Sequence, residues 1–428
     1  MIRIADTSTP VIILKLFEHL GVGLARSLGR MGVDVYGVND KLNVPGAYSR
    51  YCLKTFQWNL EQEKYEDSVR FLRDLSKKFG RKAILIPTSD HTALFLDDCA
   101  DQLSDLFIFP RRDATVTNNL SSKKGMYYLC KQHDIPTPEV TFPESRADVE
   151  QFIENAAFPV MLKGIDSSRL FMRCGARMVT VHDAADLLRQ YDRMEDPDDP
   201  NLMLQEYIPG GPDTIWMLNA YFDTNSDAHC LAIGRKVRQF PPYVGMTSLG
   251  RTEHNDTVEK LTRRFMKEIG YRGVLDLGYR FDARDGQYKL LDVNPRVGAT
   301  FRLFAQDNGL DVARSLYLDM TGQPIPDSST HDGRKWVVEE NDFFSFPTYH
   351  RDGALTYGQW LKSYRGVEEC AWFAWDDLVP FARVCMRSTP RLFRWIFKPA
   401  KTAATPANDQ PVVNNHLPDK VGAHTHGA

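Results

Sequence analysis

In this sequence of 428 residues, the strongest candidates for metal- and phosphate-binding side chains lie in residues 288–296. Polar and apolar residues alternate there as in a β-strand, which would place Leu290, Asp292 and Asn294 on one face. Two oxygen-bearing side chains two residues apart suit a hard divalent cation such as Mg²⁺. Arg296, just beyond them, is suited to stabilise negative charge on a phosphoryl group. The same segment also fits a plain strand that ends in an Asn-Pro turn with a surface arginine.

Two lysines upstream are candidates for binding phosphate. Lys163 ends an apolar strand, 160–163, and is followed by a loop, 164–175, that is rich in Gly, Asp and Ser. A lysine on a buried strand is costly unless an anion neutralises it, so a phosphate is a natural partner. Lys123 begins the predicted helix 123–133, where a lysine is more usually just solvated. Residues 202–211 predict a strand that enters a proline-glycine turn, with backbone groups able to lie beside a planar base.

The elements that must position these residues begin with a predicted parallel sheet. Short apolar runs predict strands, and the amphipathic stretches between them predict crossover helices. The predicted strands are residues 10–14, 33–38 and 83–86, and the clearest crossover helix is 65–79. Gly21 and Gly23 would form a turn after the first strand, but position 26 is arginine, so the full dinucleotide-binding fingerprint is missing.

Thr88, Ser89 and Asp90 follow the strand 83–86. Open α/β sheets bind their ligands at the carboxyl ends of strands, so these side chains are candidates for contacts to a substrate. The alternative is that Ser89 or Asp90 caps the helix that follows.

From about residue 111 the pattern becomes α+β. We predict helices at 123–133, 146–155 and 184–194, and strands at 160–163, 178–181, 202–206, 216–222, 230–237, 273–282 and 288–293. An aromatic-rich segment follows residue 326, and a basic helical stretch follows it. A tail from about Lys401 has the composition of a disordered segment.

The order of these segments resembles the ATP-grasp superfamily, and within it the carboxylate–amine ligases. The resemblance covers roughly residues 110–325 and is carried by Lys123 with the following Ile-Pro-Thr-Pro, by Lys163, by Gln-Glu-Tyr-Ile-Pro-Gly-Gly and by Leu-Leu-Asp-Val-Asn-Pro-Arg. It implies an α/β plus α+β fold, in which a parallel-sheet pre-ATP-grasp domain precedes a two-lobed ATP-grasp fold and a C-terminal extension. The implied boundaries are 1–110, 111–200 for the small lobe, 201–326 for the large lobe, 327–400 for the extension and 401–428 for the tail.

By position, the resemblance also implies how ATP would be bound. It makes Lys123 and Lys163 ligands of the nucleotide phosphates. It places adenine against the Gln205 side chain and the backbone of Glu206 and Ile208. Asp213 falls where the superfamily usually holds the ribose hydroxyls.

The implied catalytic residues follow further along the chain. Lys236 and Arg238, expected on one face of their strand, would meet the transferred phosphate and the substrate carboxylate, and Arg296 would meet the acyl phosphate. Asp292 and Asn294 match the Mg²⁺ ligands, for which Mn²⁺ is an alternative ion. Gly278 stands where a metal-binding glutamate is usual. Asp276, two residues earlier on the same strand face, would replace it directly or hold the ion through water.

The resemblance implies that ATP converts a carboxylate to an acyl phosphate, that an amine then attacks, and that ADP and phosphate are released. Closure of the loop 164–175 would exclude water from this intermediate. The implied partners are a small-molecule carboxylate and an amine, with amino acids among the candidates. Two alternatives stay open: a bicarbonate-activating carboxylase of the same superfamily, and a nucleotide-binding protein in which Gly278 reports lost catalysis.

The net charge, the cysteines and the length of the apolar runs limit the partners and the location that we expect. A formal charge of −3 gives no basic field for nucleic acid. Seven scattered cysteines lack zinc-site spacing, and no apolar run reaches the length of a membrane span, so we expect a cytoplasmic protein with reduced thiols. The basic, aromatic residues 383–401 are predicted to pack on the enzyme, with contact to a membrane surface as the less favoured alternative. A homodimer is left open.

Overall fold

The computed structural model describes residues 2–397, with side chains up to Arg391. These residues form two compact units. The smaller unit comprises residues 139–207, and the larger comprises the described residues up to 138 and from 208 onward. The domain boundaries expected from the sequence remain predictions, and the predicted disordered tail lies outside the described residues.

The N-terminal part of the larger unit is a parallel five-stranded sheet of order β3-β2-β1-β4-β5. Its strands are β1 (Val11–Leu14), β2 (Val35–Asn39), β3 (Lys54–Gln57), β4 (Ala83–Pro87) and β5 (Phe107–Ile108). Its helices are α1 (Glu18–Gly29), α2 (Tyr65–Ser76), α3 (Asp90–Asp98) and α4 (Ala100–Leu103). The predicted parallel α/β sheet at the start of the chain is confirmed.

The predicted turn at Gly21 and Gly23 is wrong, because both residues lie inside α1. Their lack of a side chain serves close packing. A Cβ at Gly21 would stand 2.9 Å from the Cα of Leu16, and one at Gly23 would stand 3.0 Å from the ring of Phe301. The glycines therefore allow α1 to lie against its own preceding loop and against the second half of the unit.

The smaller unit is an α+β layer whose four-stranded sheet has the order β6-β9-β7-β8. It follows α5 (Ala114–Ser121) and α6 (Lys123–Gln132) of the larger unit. Its own elements are β6 (Val140–Thr141), α7 (Arg146–Ile153), β7 (Val160–Gly164), α8 (Ser167–Cys174), β8 (Met178–Val181), α9 (Ala184–Met194) and β9 (Leu202–Glu206).

The expected loop 164–175 is largely the helix α8, so this prediction is wrong. Asp166 caps the helix by accepting hydrogen bonds from the backbone N–H groups of Ser168 and Arg169. Gly175 ends it with a left-handed φ of 73°, and Leu170 anchors it in the core. The capping by Asp166, the burial of Leu170 and the termination at Gly175 favour a helix here, although the polar composition suggested a loop.

The second half of the larger unit is a seven-stranded sheet of order β14-β13-β10-β11-β12-β15-β16. Its strands are β10 (Ile215–Phe222), β11 (Ala228–Phe240), β12 (Met246–Thr252), β13 (Gly273–Asp282), β14 (Gln287–Asn294), β15 (Lys335–Val337) and β16 (Val367–Cys370). Its helices are α10 (Asp256–Glu268), α11 (Val312–Met320), α12 (Glu339–Arg351), α13 (Tyr357–Ser363) and α14 (Val379–Phe397).

The segment after residue 326 is part of this sheet. β15 pairs antiparallel with β12, and β16 pairs parallel with β15. Trp336 and Trp372 from this segment are buried in a cluster with Met217 and Ala232 of the central strands. Within the residues that the structure describes, no helix is long and apolar enough to cross a bilayer.

Candidate active site

Two neighbouring strands of the seven-stranded sheet bring the predicted metal ligands together. β13 and β14 are antiparallel, and their register pairs Asp276 with Asn294 and Gly278 with Asp292. The Asn294 Nδ2 atom lies 3.3 Å from Asp276 Oδ2 and 3.1 Å from Asp292 Oδ2. Two carboxylates and one amide therefore share a face of the sheet, although they come from strands separated by a turn.

The alternation that led to this prediction holds only for part of β14. The register shifts between Gly278 and Tyr279, whose partners are Asp292 and Leu290, so one extra residue bulges from β14. Leu290 is fully buried in the hydrophobic core with Val293. The expectation that Leu290 shares a face with Asp292 and Asn294 is wrong, because the bulge reverses the alternation between them.

Asn219 is a site residue that sequence reasoning missed. It lies on β10 directly opposite Asp276, and its Nδ2 donates to Asp276 Oδ1 at 2.7 Å. Its Oδ1 is buried without a hydrogen-bond partner among the described residues. An amide in an otherwise apolar strand was the available signal, since a buried polar side chain is retained only where a partner satisfies it.

Burial governs the electrostatics of the cluster. It raises the pKa of Asp276 to about 6, and the charge of Asp292 adds to that rise, whereas Arg296, Asn219 and Lys236 oppose it. Burial also lowers the pKa of Lys236, against the attraction of the carboxylates of Asp276 and Asp292. The site thus holds charges that its own residues only partly neutralise, as expected of a site that binds charged ligands.

Arg296 connects the cluster to the N-terminal sheet. Its Nη2 donates to Asn294 Oδ1 at 3.0 Å, and its Nε donates to Asp90 Oδ1 at 3.0 Å. Its Nη1 lies 3.9 Å from Asp276 Oδ2. Asp90, at the carboxyl end of β4, is therefore brought to the site.

Thr88 and Ser89 have structural partners. Ser89 is the N-cap of α3 and forms a reciprocal capping box with Thr92. The Thr88 hydroxyl lies 2.8 Å from the carbonyl oxygen of Leu14 and 2.6 Å from that of Lys15. The helix-cap alternative accounts for Ser89, and a role of these residues in substrate binding stays a prediction.

Lys236 and Arg238 do not share surroundings, contrary to the expectation from strand alternation. The register of β11 against β12 shifts between these two residues and again after Arg238. Lys236 donates from Nζ to the carbonyl oxygen of Gly245 at 3.2 Å. Arg238 is 4% exposed and forms a two-pronged ion pair with Asp342, at 2.7 and 2.8 Å.

The nucleotide-binding candidates of the smaller unit lie on adjacent strands. Lys163 on β7 donates from Nζ to Gln205 Oε1 of β9 at 3.1 Å. The backbone N–H of Glu206 donates to the carbonyl oxygen of Glu139 at 2.8 Å. The carboxylate of Glu206 accepts a hydrogen bond from the backbone N–H of Glu139 at 3.1 Å. The structure therefore brings Lys163 and Gln205 together.

The remaining candidates belong to the larger unit. Lys123 is the first residue of α6, after the N-cap Ser122. Ile208 is buried, and Asp213 lies in a 3₁₀ turn where its carbonyl oxygen accepts a hydrogen bond from Arg235. Their contacts with ATP stay predictions.

The donor set fits a magnesium ion. Mg²⁺ prefers carboxylate and amide oxygens and retains water ligands, and Asp276, Asp292 and Asn294 can supply three such oxygens. The described residues contain no group of three or more His, Cys, Asp or Glu side chains placed for a metal, so an ion here would depend on the amide. At Gly278 an added Cβ would meet only the carbonyl oxygen of Trp216, at 3.8 Å. A first side-chain carbon therefore meets no close contact at this position.

An N-terminal parallel sheet followed by two α+β portions, with carboxylate, amide and cationic side chains on the last strands, is the arrangement expected from the resemblance to ATP-grasp proteins. Residues 121–300 match the family described as "ATP-grasp domain". These residues are therefore similar to the ATP-grasp domain, and the predicted fold class is confirmed.

A curated relative and several solved structures are similar to this chain. D-aspartate ligase of Enterococcus faecium (strain Aus0004) is 26% identical over 266 residues, which are 59% of this chain and 62% of the relative. The matched part thus spans less than two thirds of that relative.

Among solved structures, N5-carboxyaminoimidazole synthetase from Staphylococcus aureus complexed with ADP has a TM-score of 0.61 at 13% identity, over 82% of this chain and 88% of its own. L-amino acid ligase from Bacillus licheniformis has a TM-score of 0.57 at 14% identity, over 77% and 79%. At these identities the structural likeness concerns the fold.

Proposed function

We propose that the protein is an ATP-dependent ligase that joins a carboxylate to an amine. A carboxylate oxygen of one substrate attacks the γ-phosphorus of ATP, the bond to ADP breaks, and an acyl phosphate forms. The amine of the second substrate then attacks the acyl carbon, loses a proton, and displaces phosphate. The products are an amide, ADP and phosphate, and no side chain is required as a nucleophile.

The observation that carries this proposal is the cluster formed by Asp276, Asp292, Asn294 and Arg296, with Lys236 electrostatically linked to it. Phosphoryl transfer is accelerated chiefly by fixed cations and positioning, because negative charge spreads over the transferred oxygens. Carboxylates, an amide and cations placed together on neighbouring strands of a region similar to the ATP-grasp domain provide these features. The similarity to a D-aspartate ligase supports a ligase rather than another ATP-grasp activity.

Individual roles follow from chemistry. We propose that Asp276, Asp292 and Asn294 hold Mg²⁺, with Mn²⁺ as an alternative. The bound ion would neutralise charge on the phosphate oxygens. Lys236 and Arg296 would contact the transferred phosphoryl group. Because its guanidinium is paired with Asp342, we propose that Arg238 holds β11 in position and does not contact substrate.

The proposed ATP ligands are taken residue by residue from the resemblance. Lys123 and Lys163 are proposed phosphate ligands, and Asp213 a ribose ligand. The Gln205 side chain and the backbone of Glu206 and Ile208 are proposed to contact adenine. In support, Gln205 already accepts a hydrogen bond from Lys163, so one ligand is able to order both side chains.

The substrate class is the finer part of the proposal. We propose amino acids as substrates, because both D-aspartate ligase and L-amino acid ligase are similar to this chain. Asp90 is a proposed contact for a substrate amino group, since its carboxylate lies at the carboxyl end of β4 and beside Arg296. All seven cysteines are free, which supports the proposed cytoplasmic location.

The test is a screen for ADP release with ATP, Mg²⁺ and pairs of candidate carboxylates and amines, starting with D-aspartate. Hydroxylamine in place of the amine should trap the acyl phosphate as a hydroxamate. A hydroxamate that depends on one carboxylate would identify that substrate. ADP release that depends on bicarbonate would instead indicate a carboxylase. ATP binding without turnover for any pair would indicate a nucleotide-binding protein.

A further inference from the structure

The loop 241–245 joins β11 to β12 and supplies a hydrogen-bond acceptor to Lys236. The carbonyl oxygen of its last residue, Gly245, accepts from Lys236 Nζ at 3.2 Å and from Gln239 Nε2 at 2.7 Å. Gly245 lies close against the start of the loop, since an added Cβ would stand 2.1 Å from the carbonyl carbon of Phe240. The position of the Lys236 ammonium therefore depends on the conformation of this loop.

A tyrosine of α12 holds the loop in place. Tyr349 is buried, with 5% of its surface exposed. Its hydroxyl oxygen accepts hydrogen bonds from the backbone N–H of Gln239, before the loop, at 3.1 Å and from that of Tyr243, within the loop, at 3.2 Å. Backbone N–H groups shielded from water are costly to leave without an acceptor. One hydroxyl oxygen thus ties the end of β11 to the middle of the loop.

Tyr243 makes two further contacts with the end of α12. Its ring packs edge-on against the ring of Tyr349, with centroids 4.7 Å apart, and its hydroxyl donates to Asp352 Oδ2 at 3.2 Å. Its φ of 68° lies in the left-handed region, which is unfavourable for a residue that has a Cβ. Such a conformation persists only where the surrounding contacts impose it. Tyr349 and Asp352, which impose it here, lie outside residues 121–300 that match the ATP-grasp domain.

We propose that Tyr349 is a positioning residue for Lys236 and acts through the loop 241–245. This inference rests on the proposed function, in which Lys236 contacts the transferred phosphoryl group. A cation stabilises the charge of that group only if it is already held at the right distance, because moving it during the reaction would cost free energy. The segment after residue 326 therefore contributes to catalysis by ordering the loop, without contacting substrate.

Tyr349→Phe removes the accepting oxygen and keeps the ring. We expect kcat to fall about tenfold or more, because the Lys236 ammonium is no longer held in place, while the KM for ATP stays within about twofold. Tyr317→Phe is the matched control. Tyr317 is fully buried, and its hydroxyl donates to the carbonyl oxygen of Thr9 at 3.0 Å. Each variant loses one buried hydroxyl, so both should lower the midpoint of thermal unfolding, but Tyr317→Phe should keep full activity.

Chemical labelling of Lys236 gives a second measurement that does not depend on turnover. Acetic anhydride acetylates the amine, and mass spectrometry of the peptides reports the rate at this residue. Labelling should be about threefold or more faster in Tyr349→Phe, the factor that corresponds to the loss of one hydrogen bond, and unchanged in Tyr317→Phe.

The two measurements separate this inference from the proposed function. If the original chain forms no amide with any substrate pair, the proposed function fails, and the labelling of Lys236 alone decides whether Tyr349 positions it. The inference is overturned if Lys236 is labelled equally fast in the original chain and in Tyr349→Phe, or if Tyr349→Phe keeps full kcat. It is also overturned if Tyr317→Phe shows the same changes, since general destabilisation would then explain them.

Discussion

Lys236 and Arg238 are two cations on the same strand, two residues apart, with opposite surroundings. Arg238 is ion-paired with Asp342, which also accepts hydrogen bonds from Trp360 and Tyr364. Lys236 is half-buried, and among the described residues the carboxylates that act on it, those of Asp276 and Asp292, form no direct ion pair with it. Its Nζ instead donates to the carbonyl oxygen of Gly245.

The difference separates charge that holds the fold from charge placed for a ligand. A buried ion pair whose members satisfy each other has little left to offer a substrate. The charge of a desolvated lysine that has no direct ion pair is only partly stabilised by two nearby carboxylates. Binding of a phosphate together with a divalent ion would stabilise that charge further. Burial alone therefore does not identify a catalytic cation, whereas incomplete pairing does. Five substitutions test this comparison.

Arg238→Met should have the largest effect, on stability. It leaves the buried carboxylate of Asp342 without its cation, which costs about 3–5 kcal/mol of the free energy of unfolding. Lys236→Met removes a cation whose charge burial already disfavours, so we expect loss of turnover with much less loss of stability. Chemical denaturation and kcat for the two variants check this. Equal destabilisation by both would erase the distinction between the two cations.

Asp292→Ala should nearly abolish turnover, by about 10²–10³-fold, because it removes a proposed ligand of the ion that neutralises the phosphates. Asp292 is exposed, so the free energy of unfolding should change by no more than about 0.5 kcal/mol. Asp285→Ala, in the turn of the same hairpin, is the control and should retain activity. Normal activity of Asp292→Ala would refute the site assignment.

The sequence allowed much of this site to be predicted, and the failures have physical causes. Asp292 and Asn294 were predicted from alternation within one strand, which is a local property, and Asp276 was named from the resemblance. The register of β13 and β14 brings the three side chains together. The shared surroundings of Lys236 and Arg238 were predicted wrongly, because a register shift depends on the partner strand. Asn219 was missed because its role exists only through its cross-strand neighbour Asp276.

In the fold, too, features set by local sequence were predicted correctly, whereas features that depend on tertiary contacts were not. The N-terminal strands were predicted from short apolar runs, which need no knowledge of distant residues. Gly21 and Gly23 were misread as a turn, because the close contacts with Leu16 and Phe301 that require glycine are tertiary. The helix α8 was missed because its cap and its buried anchor Leu170 outweigh local composition.

Asp276→Asn should change both metal use and the pH dependence of stability. The pKa of Asp276 is raised from 3.8 to about 6, so the folded chain binds this proton more tightly than the unfolded chain does. Its contribution to stability therefore falls as pH rises from about 4 to about 6, and the asparagine variant should lack that fall. The concentration of Mg²⁺ for half-maximal activity should rise by about tenfold or more.

Two measurements separate the parts of this prediction. Denaturation of the metal-free protein across that pH range reports the proton, and a magnesium titration of kcat reports the ion. An unchanged titration would show that Asp276 does not replace the usual glutamate. Lys236 and Arg238 should also differ here. We expect Mg²⁺ to affect the surroundings of Lys236 and to leave those of Arg238 unchanged.

Gly278→Glu should have the smallest effect, and a favourable one. Gly278 is paired with Asp292 and does not have a positive φ. An added Cβ there would contact the carbonyl oxygen of Trp216, at 3.8 Å. A glutamate there is therefore accommodated, and a third carboxylate should lower the Mg²⁺ requirement by about threefold to tenfold. It should also offset part of the defect of Asp276→Asn. Gly278→Gln, with the same size and no charge, is the control. If the two variants have identical magnesium titrations, position 278 does not contact the ion, and the charge of Asp276 and Asp292 suffices for this site.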